Sequence, residues 1–143
     1  ADFRPAHRAD AKIKKTGDDG APTLELVRNP DILVDLVAAR RPGQLVVGFA
    51  AETGDATADV LTYAREKLAR KGCDFLVVNR VDGGRGFDTT DNAVTVLGAA
   101  GVGTGTGDVG SAVTEVPFGP KSVIAAAVWD VVTLRIAARC STG

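Results

Sequence analysis

The sequence predicts an α/β domain: a Rossmann-like, mostly parallel sheet with flanking helices and a β-hairpin flap. Three observations carry that reading. Unbroken apolar runs at residues 45–47 and 75–78 read as strands buried on both faces. Between them Val60, Ala64 and Leu68 recur at helical spacing, so strand, helix and strand form a βαβ unit. Beyond it, residues 93–97 and 112–116 read as two further strands, followed by the helical repeat of Ile124, Ala127, Val128, Val131 and Leu134.

Taken in order, residues 4–23 have loop composition, with Pro5, Gly17, Gly20 and Pro22 as breakers around Lys12, Lys14 and Lys15. A basic cluster of this kind is read either as a solvated loop or as an anion contact. Residues 23–28 alternate as a strand. Asn29-Pro30-Asp31 ends it, and Pro30 and Asp31 suit the opening of a helix whose apolar face is Ile32, Leu33, Leu36 and Val37. Arg40 and Arg41 complement the dipole at its far end. In the next strand Gly48 allows close backbone approach, and the small Ala50 and Ala51 follow it. Thr53, Asp55 and Thr57 are candidate caps for the helix that Gly72 stops, and Cys73 leads into the second buried strand. Gly83-Gly84-Arg85-Gly86 is turn-rich, and Gly119-Pro120 hands over to the last helix.

Composition narrows the function. The 143 residues suffice for one domain, and a net charge of −1 with 5% aromatic content gives no reason to expect nucleic acid or a membrane surface. No apolar run approaches the roughly 20 residues that span a bilayer. Cys73 reads as a small core residue and Cys140 as part of a frayed tail, a pattern that fits a reducing, cytoplasmic setting. The absence of methionine and the opening on Ala1-Asp2 read as a piece of a longer polypeptide.

Several motifs are set aside on physical grounds. Gly105-Thr106-Gly107-Asp108-Val109-Gly110 matches the dinucleotide fingerprint, yet a strand rather than a helix is expected to follow it, so it reads as a linker. His7, the single histidine, lies in a polar loop with no partners for a zinc site or a Ser-His-Asp triad. Asp55 reads as a helix cap, whereas Glu52, at the mouth of a buried strand, is less easily assigned to structure. What remains is a set suited to polyphosphate: clustered lysines, an aspartate at the start, and a phenylalanine after a glycine.

These residues resemble a known family. Ala-Asp-Phe-Arg-Pro, Lys-Ile-Lys-Lys, Arg-Asn-Pro-Asp-Ile-Leu, Val-Gly-Phe-Ala-Ala-Glu-Thr and Ala-Arg-Glu-Lys-Leu-Ala-Arg-Lys-Gly-Cys-Asp resemble the phosphopantothenate–cysteine ligase family of coenzyme A biosynthesis. The likeness covers residues 1 to about 92 and, more loosely, the C-terminal helix. It implies a domain that follows a flavin-dependent (FMN) decarboxylase half in the full bacterial protein. It also implies CTP-dependent ligation of 4′-phosphopantothenate with cysteine through an acyl-cytidylate, with Mg2+ bridging the phosphates. Separately, the apolar hairpin strands at residues 93–97 and 112–116 would suit a homodimer contact.

By motif match, Asp2 contacts the nucleotide and Lys12, the expected catalytic residue, contacts the triphosphate. Pro30, Asp31, Ile32 and Leu33 line the nucleotide site, Phe49 lies against it, and Lys67 and Lys71 complete the CTP contacts. Lys14 and Lys15 belong to a loop, residues 6–21, expected to be mobile and to close over the ligand. The residues that hold Mg2+ stay open. The family's opening strand with its Gly-rich turn, and its Asn-x-Ser-Ser-Gly segment, have no counterpart here. The sheet is therefore expected to lack its N-terminal strands and the chain alone to be inactive. A truncated or repurposed non-catalytic nucleotide-binding or assembly module is the competing expectation. If the helix after Gly48 began near Thr57, Lys67 and Lys71 would lie about 15–20 Å from its N-terminus. Either the helix begins later, or the nucleotide lies along its flank.

Overall fold

Five consecutive positions on one strand, Phe75 to Asn79, are buried, and the rest of the molecule is laid around them. The structure, a computed structural model, describes residues 2–14, 23–52, 59–81, 90–100 and 112–140. Its elements are β1 (Phe3–Pro5), β2 (Leu26–Arg28), α1 (Ile32–Ala38), β3 (Val47–Glu52), α2 (Val60–Lys71), β4 (Phe75–Arg80), β5 (Asp91–Gly98), β6 (Val113–Pro120) and α3 (Lys121–Cys140). The main sheet has the order β3-β4-β5-β6, while β1 and β2 form a separate antiparallel ribbon.

The α/β class stands, and the sheet is mixed. β3 and β4 run parallel, joined by the right length of chain for a helical crossover; β4–β5 and β5–β6 are antiparallel. The expectation of a mostly parallel sheet is thus corrected for the described residues, because only α2 supplies a crossover helix between neighbouring strands. The hairpin expectation is met by β5 and β6, but these strands extend the sheet rather than standing apart as a flap. Its tip, with the Gly105–Gly110 motif, lies outside the described residues.

Two apolar layers sandwich β4. On one face Leu76 and Val78 pack with Val60, Ala64 and Leu68 of α2, Val46, Ala50, Cys73 and Leu97, and Leu33 and Val37 of α1 close this cluster. On the other face Phe75 and Val77 pack with Val94, Val96 and Val116 against Ile124 and Val132 of α3. This is the alternation a strand imposes, one side chain to each face in turn. β3 is corrected from a doubly buried strand to a half-buried edge: its burial alternates, with Val47 40% and Phe49 66% exposed. It pairs with β4 alone among the described residues, so its second face and edge stay open.

Local chemistry sets the helix ends. Asp59 caps α2, its carboxylate accepting from Thr62 N–H at 2.8 Å, so this helix begins later than Thr57. The alternative caps Thr53, Asp55 and Thr57 lie outside the described residues. The same hydrogen bonds from Thr62 hold the Asp59 carboxyl below the usual carboxylate range. Gly72, with φ 69°, ends α2 in the left-handed conformation, and its N–H donates to Leu68 O at 3.0 Å. Asp31 caps α1 by accepting from Val34 N–H at 3.3 Å. α3 runs through to Cys140, so the expectation that this residue lies in a frayed tail is corrected.

Buried Asp74 ties α1 to the base of the sheet. Its carboxylate accepts from Val46 N–H at 2.8 Å and from Arg40 Nη1 at 3.1 Å. Arg40 is therefore more than a helix-end charge: it anchors the far end of α1. No described helix is long and apolar enough to cross a membrane.

Candidate functional site

The ribbon β1–β2 builds one wall of a cavity. Arg4 Nη1 donates to Arg28 O at 3.0 Å and to Asn29 Oδ1 at 2.9 Å, and Asn29 N–H donates to Asp2 O at 2.9 Å. These bonds hold Asp2 and Phe3 beside residues 28–31. Asp31 then starts α1 and turns Ile32, Leu33 and Val34 toward the same space. Phe49 comes from the open edge of β3, Leu76 from the floor, and Lys67, Arg70 and Lys71 from one flank of α2. The cavity they enclose has a volume of about 790 Å³.

Gly48 is what lets α1 and the sheet approach here. A Cβ at this position would meet Leu33 Cδ2 at 2.8 Å, Leu76 Cδ1 at 3.1 Å and Cys73 Sγ at 3.2 Å. Any larger residue would push Leu33 toward the cavity, so this glycine's role is close approach rather than an unusual backbone angle. Cys73, beneath it, is buried, and burial pushes its thiol up from the ordinary range; it is a packing residue and a poor nucleophile.

Charged side chains share the lining with apolar ones. Arg28, Lys67, Arg70 and Lys71 face Asp2 and Asp31, leaving an excess of positive charge. The lysines are paired: Lys67 Nζ donates to Glu52 Oε1 and Lys71 Nζ to Asp31 Oδ2. Glu52, unassigned in the sequence, thus anchors Lys67 from the end of β3. The Lys71 ammonium, with help from Val34 N–H, holds the Asp31 carboxyl below the usual carboxylate range. A carboxyl depressed in the folded state contributes stability above its unfolded value, about 3.9, and loses it as pH falls through the lower folded value. A carbon-detected NMR titration is therefore expected to give an Asp31 midpoint below that of an unpaired aspartate, and Lys71→Ala should move it upward. A midpoint unaffected by Lys71→Ala would contradict the pairing.

Of the residues singled out from the sequence, Asp2, Pro30, Asp31, Ile32, Leu33, Phe49, Lys67 and Lys71 all line this one cavity. Lys12 and Lys14 are exposed and off its wall, and Lys15 lies outside the described residues. Phe3, Arg28, Asn29, Val34, Arg70 and Leu76 also line it without having been singled out. Arg28 and Asn29 stood inside the Arg-Asn-Pro-Asp motif; Arg70 could have been found from its place three residues after Lys67 on the same helical flank. Lys67 and Lys71 fall about 10 and 16 Å along α2 from Val60. The cavity runs along the flank of α2 and touches none of its first turn. Among the described residues no group of three or more His, Cys, Asp or Glu is placed to hold a metal ion.

Comparisons with known proteins bear on the family and the fold. The model of the DNA/pantothenate metabolism flavoprotein C-terminal domain matches residues 1–134. The chain is 58% identical over 106 residues to the Coenzyme A biosynthesis bifunctional protein CoaBC of Mycobacterium bovis, a match covering 71% of this chain and 25% of that protein. It is 46% identical over 98 residues to the protein of the same name from Vibrio cholerae, covering 68% of this chain and 24% of the relative. The chain thus spans about a quarter of the length of these relatives. A crystal structure of the C-terminal domain of a bifunctional CoaBC protein superposes with a TM-score of 0.59 at 26% identity, covering 92% of this chain and 48% of the solved one. The extent of the family match, the relatives' identity and the shared fold together make this chain a member of the DNA/pantothenate metabolism flavoprotein C-terminal domain family.

Proposed function

We propose that this chain is the nucleotide-binding part of a phosphopantothenate–cysteine ligase of coenzyme A biosynthesis, and that its cavity holds CTP. The single observation that carries the reading is the assembly of Asp2, Pro30 to Leu33, Phe49, Lys67 and Lys71 around one positively charged space. The exposed ring of Phe49 offers a face to a base or ribose, and Lys67 and Lys71, one turn apart, suit successive phosphates. Asn29 and Pro30 line the same cavity; Asn29 N–H is committed to Asp2 O and proline has no N–H, so what their backbone offers a base is a carbonyl acceptor.

In the proposed reaction the carboxylate of 4′-phosphopantothenate attacks the α-phosphorus of CTP. The bond to pyrophosphate breaks, and an acyl-cytidylate results. The amine of cysteine then attacks the acyl carbon and CMP leaves. The protein's part is to position these groups and to neutralise charge on the phosphates, with no nucleophile of its own. Mg2+ would supply charge neutralisation on the phosphates, and Asp2 and Asp31 are the carboxylates in the lining that would help to hold it, in keeping with the one or two acidic side chains this ion usually takes from a protein. Lys12, the proposed catalytic contact, stands exposed and off the cavity wall, so its contact with the triphosphate is the least supported of the set.

The wider proposal places the chain in a cytoplasmic protein whose upstream half is a flavin-dependent decarboxylase carrying FMN, after the bifunctional relatives. A second copy of the chain is the proposed cover for Phe118 on β6 and Trp129 on α3, both about two-thirds exposed. A second reading, nucleotide binding without ligase chemistry, is favoured by the position of Lys12, exposed and off the cavity wall.

Calorimetric titration with CTP and ATP in the presence of Mg2+ tests the nucleotide assignment. CTP is expected to bind more tightly, and ATP to displace it poorly. Equal affinity for the two nucleotides would refute the choice of CTP.

A further inference from the structure

The four cations facing the cavity are not in the same state. Lys67 and Lys71 are already neutralised, by Glu52 and Asp31. Arg28 and Arg70 line the same cavity, and neither guanidinium has an ion-paired carboxylate among the described residues. Arg70 lies beside both lysines on α2, and Arg28 comes from the β1–β2 ribbon, so two elements each contribute one cation outside any ion pair, with Asp2 the one lining carboxylate left to face them.

We propose that Arg28 and Arg70 are the cavity's standing receptors for a phosphate chain, and that Lys67 and Lys71 join them only by exchanging Glu52 and Asp31 for phosphate oxygens. The inference rests on the nucleotide reading above and assigns its phosphate contacts. A guanidinium is more weakly hydrated than an ammonium, and its planar fork matches two oxygens of one phosphate. It therefore binds an incoming anion without first breaking an ion pair. Each lysine, by contrast, must give up a carboxylate. An anion of one or two charges offers little more than the carboxylate it replaces, whereas a chain of phosphates already anchored on the arginines presents several oxygens at once. Glu52 stays behind Lys67, outside the cavity lining, so its displacement leaves the space clear. The arrangement thus selects a polyphosphate over a monophosphate by exchange of ion pairs, without any contact to the base.

Titration of the chain with inorganic tripolyphosphate and with inorganic phosphate tests this. Arg28→Gln and Arg70→Gln are each expected to weaken tripolyphosphate binding at least about tenfold. Arg28→Lys and Arg70→Lys should recover part of the loss, because charge returns without the fork. Glu52→Gln should tighten binding of both anions and narrow the preference for tripolyphosphate, since a competitor for Lys67 is gone; circular dichroism melting confirms that each variant is folded. Wild-type affinity in both Arg→Gln variants, weaker binding by Glu52→Gln, or no tripolyphosphate binding by the unaltered chain would each overturn the proposal. Parallel titration with CTP separates the two readings. Tripolyphosphate binding with the expected variant pattern but no added affinity for CTP refutes the nucleotide function alone. CTP binding that ignores both arginines refutes this inference alone.

Discussion

Replacing Lys67 and Lys71 together by alanine is expected to lower CTP affinity by about a hundredfold or more, taking each lost charge-assisted contact as roughly tenfold. Two effects act in the same direction. The phosphates lose two ammonium partners from one flank of α2, and Glu52 and Asp31 lose the cations that neutralise them. The freed Asp31 carboxylate then faces the ligand from the cavity lining. Adding Glu52→Gln and Asp31→Asn to the double variant should restore part of the affinity, because only the repulsion is removed. Calorimetry at low and high salt checks both steps, the loss being larger at low salt, where charge is less screened. Unchanged affinity in the double variant would remove the lysines from the site.

Leu76→Ala is expected to have the largest effect on stability, about 2–5 kcal/mol, the usual range for a fully buried leucine truncated to alanine. Leu76 is 0% exposed and belongs to the cluster that joins α2, the central strand and α1. It also forms the floor of the cavity, so truncation should both unfold the chain more easily and loosen the site. Denaturant melts measure the first effect. A loss well under 1 kcal/mol would mean that the layer on this face of β4 does not depend on this contact.

The sequence carried the site further than it carried the sheet. Asp31, Phe49, Lys67 and Lys71 are separated along the chain, yet the spacing within each motif and the likeness to a known family pointed to all of them, and one cavity gathers them. The apolar periods of α2 and β4 were legible because both elements bury regular faces. Strand direction was not. Apolar runs at β3 and β5 look alike whether the neighbour runs parallel or antiparallel, and only connection length and the crossover helix separate the cases. The edge position of β3 was likewise hidden, since Val47 and Phe49 are as apolar as core residues while standing exposed. Ion pairing between distant elements, Glu52 with Lys67 and Asp31 with Lys71, has no local pattern to read. The start of α2 was ambiguous for a different reason: several capping residues precede it, and the hydrogen bond from Thr62 N–H selects Asp59.

The central claim is that nucleotide lies along the flank of α2, between the β1–β2 ribbon and the open edge of β3. Mapping amide chemical-shift changes on the chain as CTP and Mg2+ are added tests it most directly. The account predicts that the largest changes fall on residues 28–34, Phe49, and Lys67, Arg70 and Lys71, and that they saturate together. Changes centred on the Gly105–Gly110 segment or on α3, with residues 28–34 and 67–71 unmoved, would contradict it.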